Sequence, residues 1–154
     1  MKPDNRSAWI LIVGMALAGV STAAWADRVD DLIKKLQSKN SADRRLAALE
    51  LGRNRDPRAV PPLIALFRDE DPLVRLDASG ALMEIGPPAV NPLIEAVKTE
   101  AEPVFLWNAI RVLEEIGDPR ALDALRAIRK NNKDPSVQQI SRYAIEKLER
   151  LQKP

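Results

Sequence analysis

The sequence predicts an all-α protein, an α-solenoid of helix pairs stacked side by side. Three observations predict it. The segment Asp56–Ile64, D-P-R-A-V-P-P-L-I, returns in altered form at Pro87–Ile94 and at Asp118–Leu125, about 31 residues apart each time. A period of about 20–50 residues marks a stacked array. Between these segments, apolar residues recur at helical spacing, as in Val74, Ala78, Ala81, Leu82 and Ile85. No segment alternates apolar and polar residues between tight turns in the manner of a strand. A hairpin this small cannot bury its apolar stripe alone, so the units must stack.

The elements follow in order. Lys2 and Arg6 precede an uncharged, mostly apolar run from Trp9 to Val20, and Ala24-Trp25-Ala26 supplies an A-x-A cleavage pattern. That order predicts a secretory signal peptide over residues 1–26, cut after Ala26. An uncleaved anchor is the alternative, since Ala8–Ala26 is long enough to span a bilayer. Residues 27–154 then form the repeat domain. Val29, Leu32, Ile33 and Leu36 predict an unpaired helix at its start.

First helices are expected after Asn40, Asp71, Glu102 and Asp134, whose side-chain oxygens can cap the first turn. Pro72, Pro103 and Pro135 fall at the first helical position, where a missing N–H is tolerated. The helices should stop near Arg55, Gly86 and Gly117. Shorter second helices follow over Val60–Phe67, Val90–Val97 and Leu122–Ile128. The last helix, Pro135 to Gln152, is more charged than its equivalents and is expected to act as a polar cap.

Composition narrows the chemistry. There are 24 Lys and Arg against 22 Asp and Glu. Removing Lys2, Asp4 and Arg6 leaves 22 basic and 21 acidic residues, which speaks against nucleic-acid binding. The chain has no His and no Cys. This excludes Ser-His-Asp and Cys-His nucleophilic sites, zinc sites built on His or Cys, and disulfides. Catalysis would need carboxylates, Lys or Tyr143. The expectation is therefore no enzyme, no catalytic residue, no cofactor and no metal.

Asp71-Pro72-Leu73-Val74-Arg75, the turn Ile116-Gly117-Asp118-Pro119-Arg120-Ala121, and Val60-Pro61-Pro62-Leu63-Ile64 together resemble HEAT repeats of the phycobilisome-lyase type. The resemblance covers residue 27 to about Gln152. Arg55 departs from it by replacing a turn Gly, and Leu106 and Gln138 stand where Arg44 and Arg75 stand earlier. The family implies adaptors, assembly factors and accessory subunits, a few of them involved in attaching bilin chromophores. It also implies that second helices line the concave face.

On that reading the partner-binding candidates are Lys34, Lys35, Arg68, Lys98, Arg126 and Arg129, a mostly basic face for a partner protein. Glu95 and Lys130 share it. In the run Val104-Phe105-Leu106-Trp107, Leu106 and Trp107 fall off the core stripe, as does Ile110. Leu76 occupies the position of Trp107 one unit earlier. These residues either pack between first helices or form an exposed patch, with Trp107 the leading contact candidate. Arg44 and Arg75 are expected to form a structural ladder, Arg58 and Arg120 to bridge units, and Glu114-Glu115 and Asp30-Asp31 to be solvated.

The leading expectation is a monomeric, non-enzymatic interaction or assembly module, exported to the periplasm or secreted. It binds another protein along its concave face, with no nucleic acid and no membrane after cleavage. The alternative is a lyase-like accessory protein handling a tetrapyrrole or another ligand, which one cavity with convergent polar groups would favour.

Overall fold

The computed structural model describes residues 22–152. The predicted signal segment up to residue 21 lies outside them. Eight α-helices occur among the described residues: α1 (Thr22–Lys35), α2 (Ser41–Asn54), α3 (Val60–Ala65), α4 (Pro72–Ile85), α5 (Val90–Lys98), α6 (Pro103–Ile116), α7 (Leu122–Asn131) and α8 (Pro135–Leu151). Short 3-10 turns at Pro57–Ala59, Pro87–Ala89 and Pro119–Ala121 lead into the second helices. The Ala26–Asp27 junction falls inside α1, and Trp25 packs against the core.

The helices form two layers. The first helices α2, α4, α6 and α8 pack in chain order, each on the next. The second helices α3, α5 and α7 do the same beside them. One contiguous apolar core runs between the layers, from Val29 to Leu148, with Leu51, Leu82 and Leu113 at equivalent places in successive units. This is the predicted all-α solenoid.

Capping follows the sequence. The side chains of Asn40, Asp71, Glu102 and Asp134 accept hydrogen bonds from the N–H groups of Ala42, Leu73, Val104 and Ser136. Arg55, Gly86 and Gly117 end the first helices with positive φ of 52°, 77° and 74°. The second helices differ in length from expectation. Pro61 and Pro62 leave α3 short, and it tightens into a 3-10 turn at Leu66–Arg68, whereas α7 continues to Asn131.

The connections carry a second polar register that sequence reading missed. Two residues before each cap stands Ser38, Asp69, Glu100 or Asn132. Each accepts from the backbone N–H of its cap residue. Arg44 reaches across to Asp69 in a two-pronged ion pair of 2.7 and 2.8 Å, and donates to the Ser38 carbonyl at 2.8 Å. Arg75 donates to the Asp69 carbonyl at 2.6 Å, and Gln138 to the Asn132 carbonyl at 2.8 Å. The Arg ladder therefore clamps loops. The turn arginines also bridge units, Arg58 to Asp30 and Arg120 to Asn91. Glu114 and Glu115 are not simply solvated, because Lys147 of α8 binds both. Asp30 and Asp31 pair with Arg58 and Lys34.

Layer spacing is set by small residues. A Cβ on Gly52 of α2 would stand 2.6 Å from the Ala81 Cα of α4, closer than any real contact. Gly80 has nothing within 4 Å of such an atom. In an open helix interior, Gly→Ala gains about 0.5–1 kcal/mol. Gly80→Ala should therefore raise the urea midpoint. Gly52→Ala should lower it, by about 1–3 kcal/mol, because backbone must move to admit the methyl. A shift of the same sign in both variants would contradict this spacing.

Several carboxyls are held below their usual range. Hydrogen bonds from the Arg58 and Arg120 side chains lower Asp56 and Asp118, bonds from Ser136 and the Val137 N–H lower Asp134, and the Leu73 N–H leads at Asp71. Burial opposes the shift at Glu100, but backbone N–H bonds from Glu102 and Ala101 outweigh it. Folded values below unfolded ones mean that this stabilisation is complete above about pH 4 and is lost as pH falls through the folded values. Equilibrium urea melts should be level between about pH 7 and 5 and lose stability below about pH 4. Asp118→Asn should flatten that acid limb, and an unchanged limb would argue against the role of these carboxyls.

Candidate functional site

A half-open groove of about 550 Å³ lies between α5 and α7. That volume is within the range of small-molecule sites. Its apolar lining is Ile94 and Val97 of α5, Leu106 of α6, and Ala124, Ala127 and Ile128 of α7. The space exists because α7 presents alanine at two positions one turn apart, where longer side chains would meet α5.

Polar groups stand at both ends. Arg120 leads into α7 and bonds Asp118, Asn91 and the Pro87 carbonyl, which fixes it near the start of α5. Lys98 ends α5 and bonds Glu95 at 2.6 Å. Asn91 and Lys98 are seven residues apart in α5, a rise of about 10 Å along that helix. Glu100 lies at the Lys98 end with Arg68 as its ion partner. Its carboxylate is consumed by that pair and by the Ala101 and Glu102 N–H groups. Asp123, at the rim, pairs with Arg126. Arg120 is kept protonated first by its hydrogen bond to Asp118. The groove thus offers an apolar trough closed by a cation at each end, a geometry suited to an elongated ligand with acidic substituents.

The sequence-predicted basic residues are all exposed, yet most are engaged. Lys34 pairs with Asp31, Arg68 with Glu100, Lys98 with Glu95, and Arg126 with both Asp123 and Glu149. Arg68 also lies over the Phe105 ring at 4.6 Å. Lys35 and Arg129 are exposed at opposite ends of the second-helix layer. Arg126 and Arg129 share a shallow pocket with Lys130, Glu146 and Glu149, Lys34 and Lys35 stand apart on α1, and of the predicted basic residues the groove takes Lys98.

Leu106 requires a correction. It is 1% exposed and does not share the outward surface with Trp107; it reaches only the lining of the groove, and Ile110 is likewise buried. The reason is register. Leu106 stands four residues after its cap, the same place as the buried Arg44, so it faces inward and fills volume where Arg44 clamps a loop. Trp107 is 43% exposed and Leu76 47%, so the apolar run is split between core and surface. Asn108 was missed: it is buried, donates to the Val104 carbonyl, and accepts from Ser79 across the α4–α6 contact. The groove itself was missed as well. Ala124 and Ala127 were its only signal, and a missing side chain is read as space only once the opposing helix is placed.

A family model described as HEAT repeats matches residues 29–105 and 86–146. The chain is 32% identical over 118 residues to the phycocyanobilin lyase subunit beta of Nostoc sp., covering 77% of this chain and 52% of that protein. It is 31% identical over 115 residues to an uncharacterized phycocyanin operon protein Z of Pseudanabaena tenuis, covering 72% and 57%. A phycocyanobilin lyase subunit beta of the same organism is 32% identical over 103 residues, covering 66% and 36%. The chain spans about half the length of the first two relatives. These names overturn the expectation that the chain is no enzyme: lacking His and Cys excludes particular nucleophiles, and relatives named as lyase subunits point to enzyme-like work. The repeats and the word subunit also point to a protein partner. Repeats matched over residues 29–146, two helix layers stacked in chain order, and lyase-named relatives place this chain in the HEAT-repeat family of the phycobilisome-lyase type.

Proposed function

We propose that this chain is a lyase-type subunit that holds a linear tetrapyrrole, or a ligand of similar shape, in the α5–α7 groove and presents it to a protein partner. The single observation that carries the reading is the apolar trough lined by Ile94, Val97, Ala124, Ala127 and Ile128, with Arg120 and Lys98 at its two ends. Flat pyrrole rings match the trough, and acidic side chains on such a molecule match the two cations. The relatives named phycocyanobilin lyase subunits support the ligand class. The groove is open along one side, which suits handing a ligand over better than enclosing it. Asp123, paired with Arg126, is a nearly fully exposed carboxylate on its rim.

Export is a separate proposal, resting on Lys2, Arg6, the apolar run Trp9–Val20 and Ala24-Trp25-Ala26. The groove lies within residues 94–132, so its chemistry is the same in either compartment. N-terminal sequencing of the chain from its own host tests this. Asp27 as first residue, in an extracytoplasmic fraction, supports export. An intact Met1 in the cytoplasm contradicts it.

Biliverdin is a suitable probe for the groove. Titration monitored by absorbance should give saturable binding to the purified chain. Ala127→Trp should weaken it at least about tenfold, and Arg120→Gln with Lys98→Gln by about three- to tenfold through loss of charge-assisted bonds. Near-native thermal melts would show that the fold survives in each. No binding by the unaltered chain, or equal binding by Ala127→Trp, would remove the proposal.

A further inference from the structure

We infer that Asn131, given a linear tetrapyrrole in the groove as proposed, pairs with a terminal lactam of that ligand and so sets which way round it lies. Asn131 lines the groove as the last residue of α7. Ala127, Ile128 and Asn131 follow Ala124 by three, four and seven residues, so Asn131 continues the stripe of α7 that forms the trough wall. The other polar side chains on the lining are engaged. Lys98 bonds Glu95, Arg120 bonds Asp118, and Asp123 bonds Arg126. Glu100 holds Arg68 and two backbone N–H groups. The side-chain oxygen of Asn132 accepts from the Asp134 N–H. Among the described residues the Asn131 side chain makes no hydrogen bond, and it is exposed. Helix capping does not occupy it either, since the cap of α7 is Asn132, whose N–H bonds the Ile128 carbonyl.

A carboxamide presents an acceptor and a donor side by side. Its complement carries a donor beside an acceptor, which is the N–H and C=O pair of a lactam. A carboxylate supplies no donor, and the hydrocarbon edges of a pyrrole ring supply neither group. A linear tetrapyrrole has a lactam ring at each end and its acidic side chains on the inner rings. Charge alone leaves the direction of such a ligand open, because the trough has a cation at each end, Arg120 and Lys98. Asn131 breaks that symmetry. From Leu122 to Asn131 helix α7 rises by about 14 Å, which puts the amide away from Arg120 and at the end where Lys98 closes α5. The amide near the opposite end, Asn91, is taken up by Arg120. One terminal ring is therefore fixed at the Asn131 end, and the other terminal ring lies toward Arg120 with no free amide to hold it.

The test separates the lactam from the acids. Absorbance titrations of the full chain use biliverdin and its dimethyl ester, which keeps both lactams and has no free carboxylate. Asn131→Leu should weaken both by about five- to tenfold. Arg120→Gln with Lys98→Gln should weaken biliverdin and leave the ester unchanged. A second pair of probes is a dipyrrinone bearing one propionate and the lactim methyl ether of the same molecule. The unaltered chain should prefer the dipyrrinone by about five- to tenfold, and Asn131→Leu should abolish that preference. The position is on the surface, and unchanged thermal melts would verify the fold. If Asn131→Leu melts early, Asn131→Ser decides the matter. Equal loss of the dipyrrinone and its ether in the variant would make Asn131 a piece of the wall only, and would overturn the inference. So would biliverdin binding that Ala127→Trp weakens and both Asn131 variants leave intact, with the groove proposal still standing. Failure of the unaltered chain to bind biliverdin would remove both together.

Discussion

The architecture depends on how closely neighbouring first helices approach. At Gly52 and Ala81 the backbones of α2 and α4 come so near that one methyl group would not fit. Such proximity brings the apolar stripes of successive units into one continuous core, from Val29 to Leu148. A single helix pair has too little surface to bury, so its stability comes from its neighbours. Buried alanines at Ala47, Ala48, Ala78, Ala81, Ala109 and Ala144 keep that layer tight along its length. Small residues thus serve the first-helix layer as spacers, by letting backbones meet.

In the second-helix layer small residues do the opposite. Ala124 and Ala127 face outward between α5 and α7, where no backbone closes in, and the result is a trough. One of its two cations, Arg120, is held by contacts that also maintain the array. Arg120 belongs to a turn that ties α7 to the unit before it, and Lys98 ends α5. The repeat that builds the stack therefore also positions the charges at the groove ends. One departure from the repeat shapes the site further. Where earlier units place Arg44 and Arg75 against loop carbonyls, the third unit has Leu106, which extends the apolar lining, and Glu100 secures the loop in its place.

Chemistry at this site rests on restricted means. Without His or Cys, the ionisable groups lining the groove are two carboxylates and two cations, and each of the four is already paired. Such a site orients a ligand more readily than it attacks one.

Local features were legible because they act over a few residues. Asn40, Asp71, Glu102 and Asp134 announced the caps, Pro72, Pro103 and Pro135 the first turns, and Gly86 and Gly117 the stops, since each concerns backbone geometry within one turn of helix. Repetition of those marks made the order of stacking readable too. Which side of a helix meets a neighbour was less clear. Leu106 and Trp107 are adjacent and similarly apolar, yet one is buried and the other stands in solvent. Their difference arises from where α5 and α8 lie, and no pattern within α6 records that. The amino-acid order by itself determined the helices, their ends and their piling into a solenoid, because those follow from short-range hydrogen bonding and from stripes too small to hide alone. Only the tertiary structure decided the pairing of Arg44 with Asp69, the bond between Ser79 and Asn108 and the trough between α5 and α7. Each of these is a distance between residues on different elements, and such distances exist only once the layers have closed.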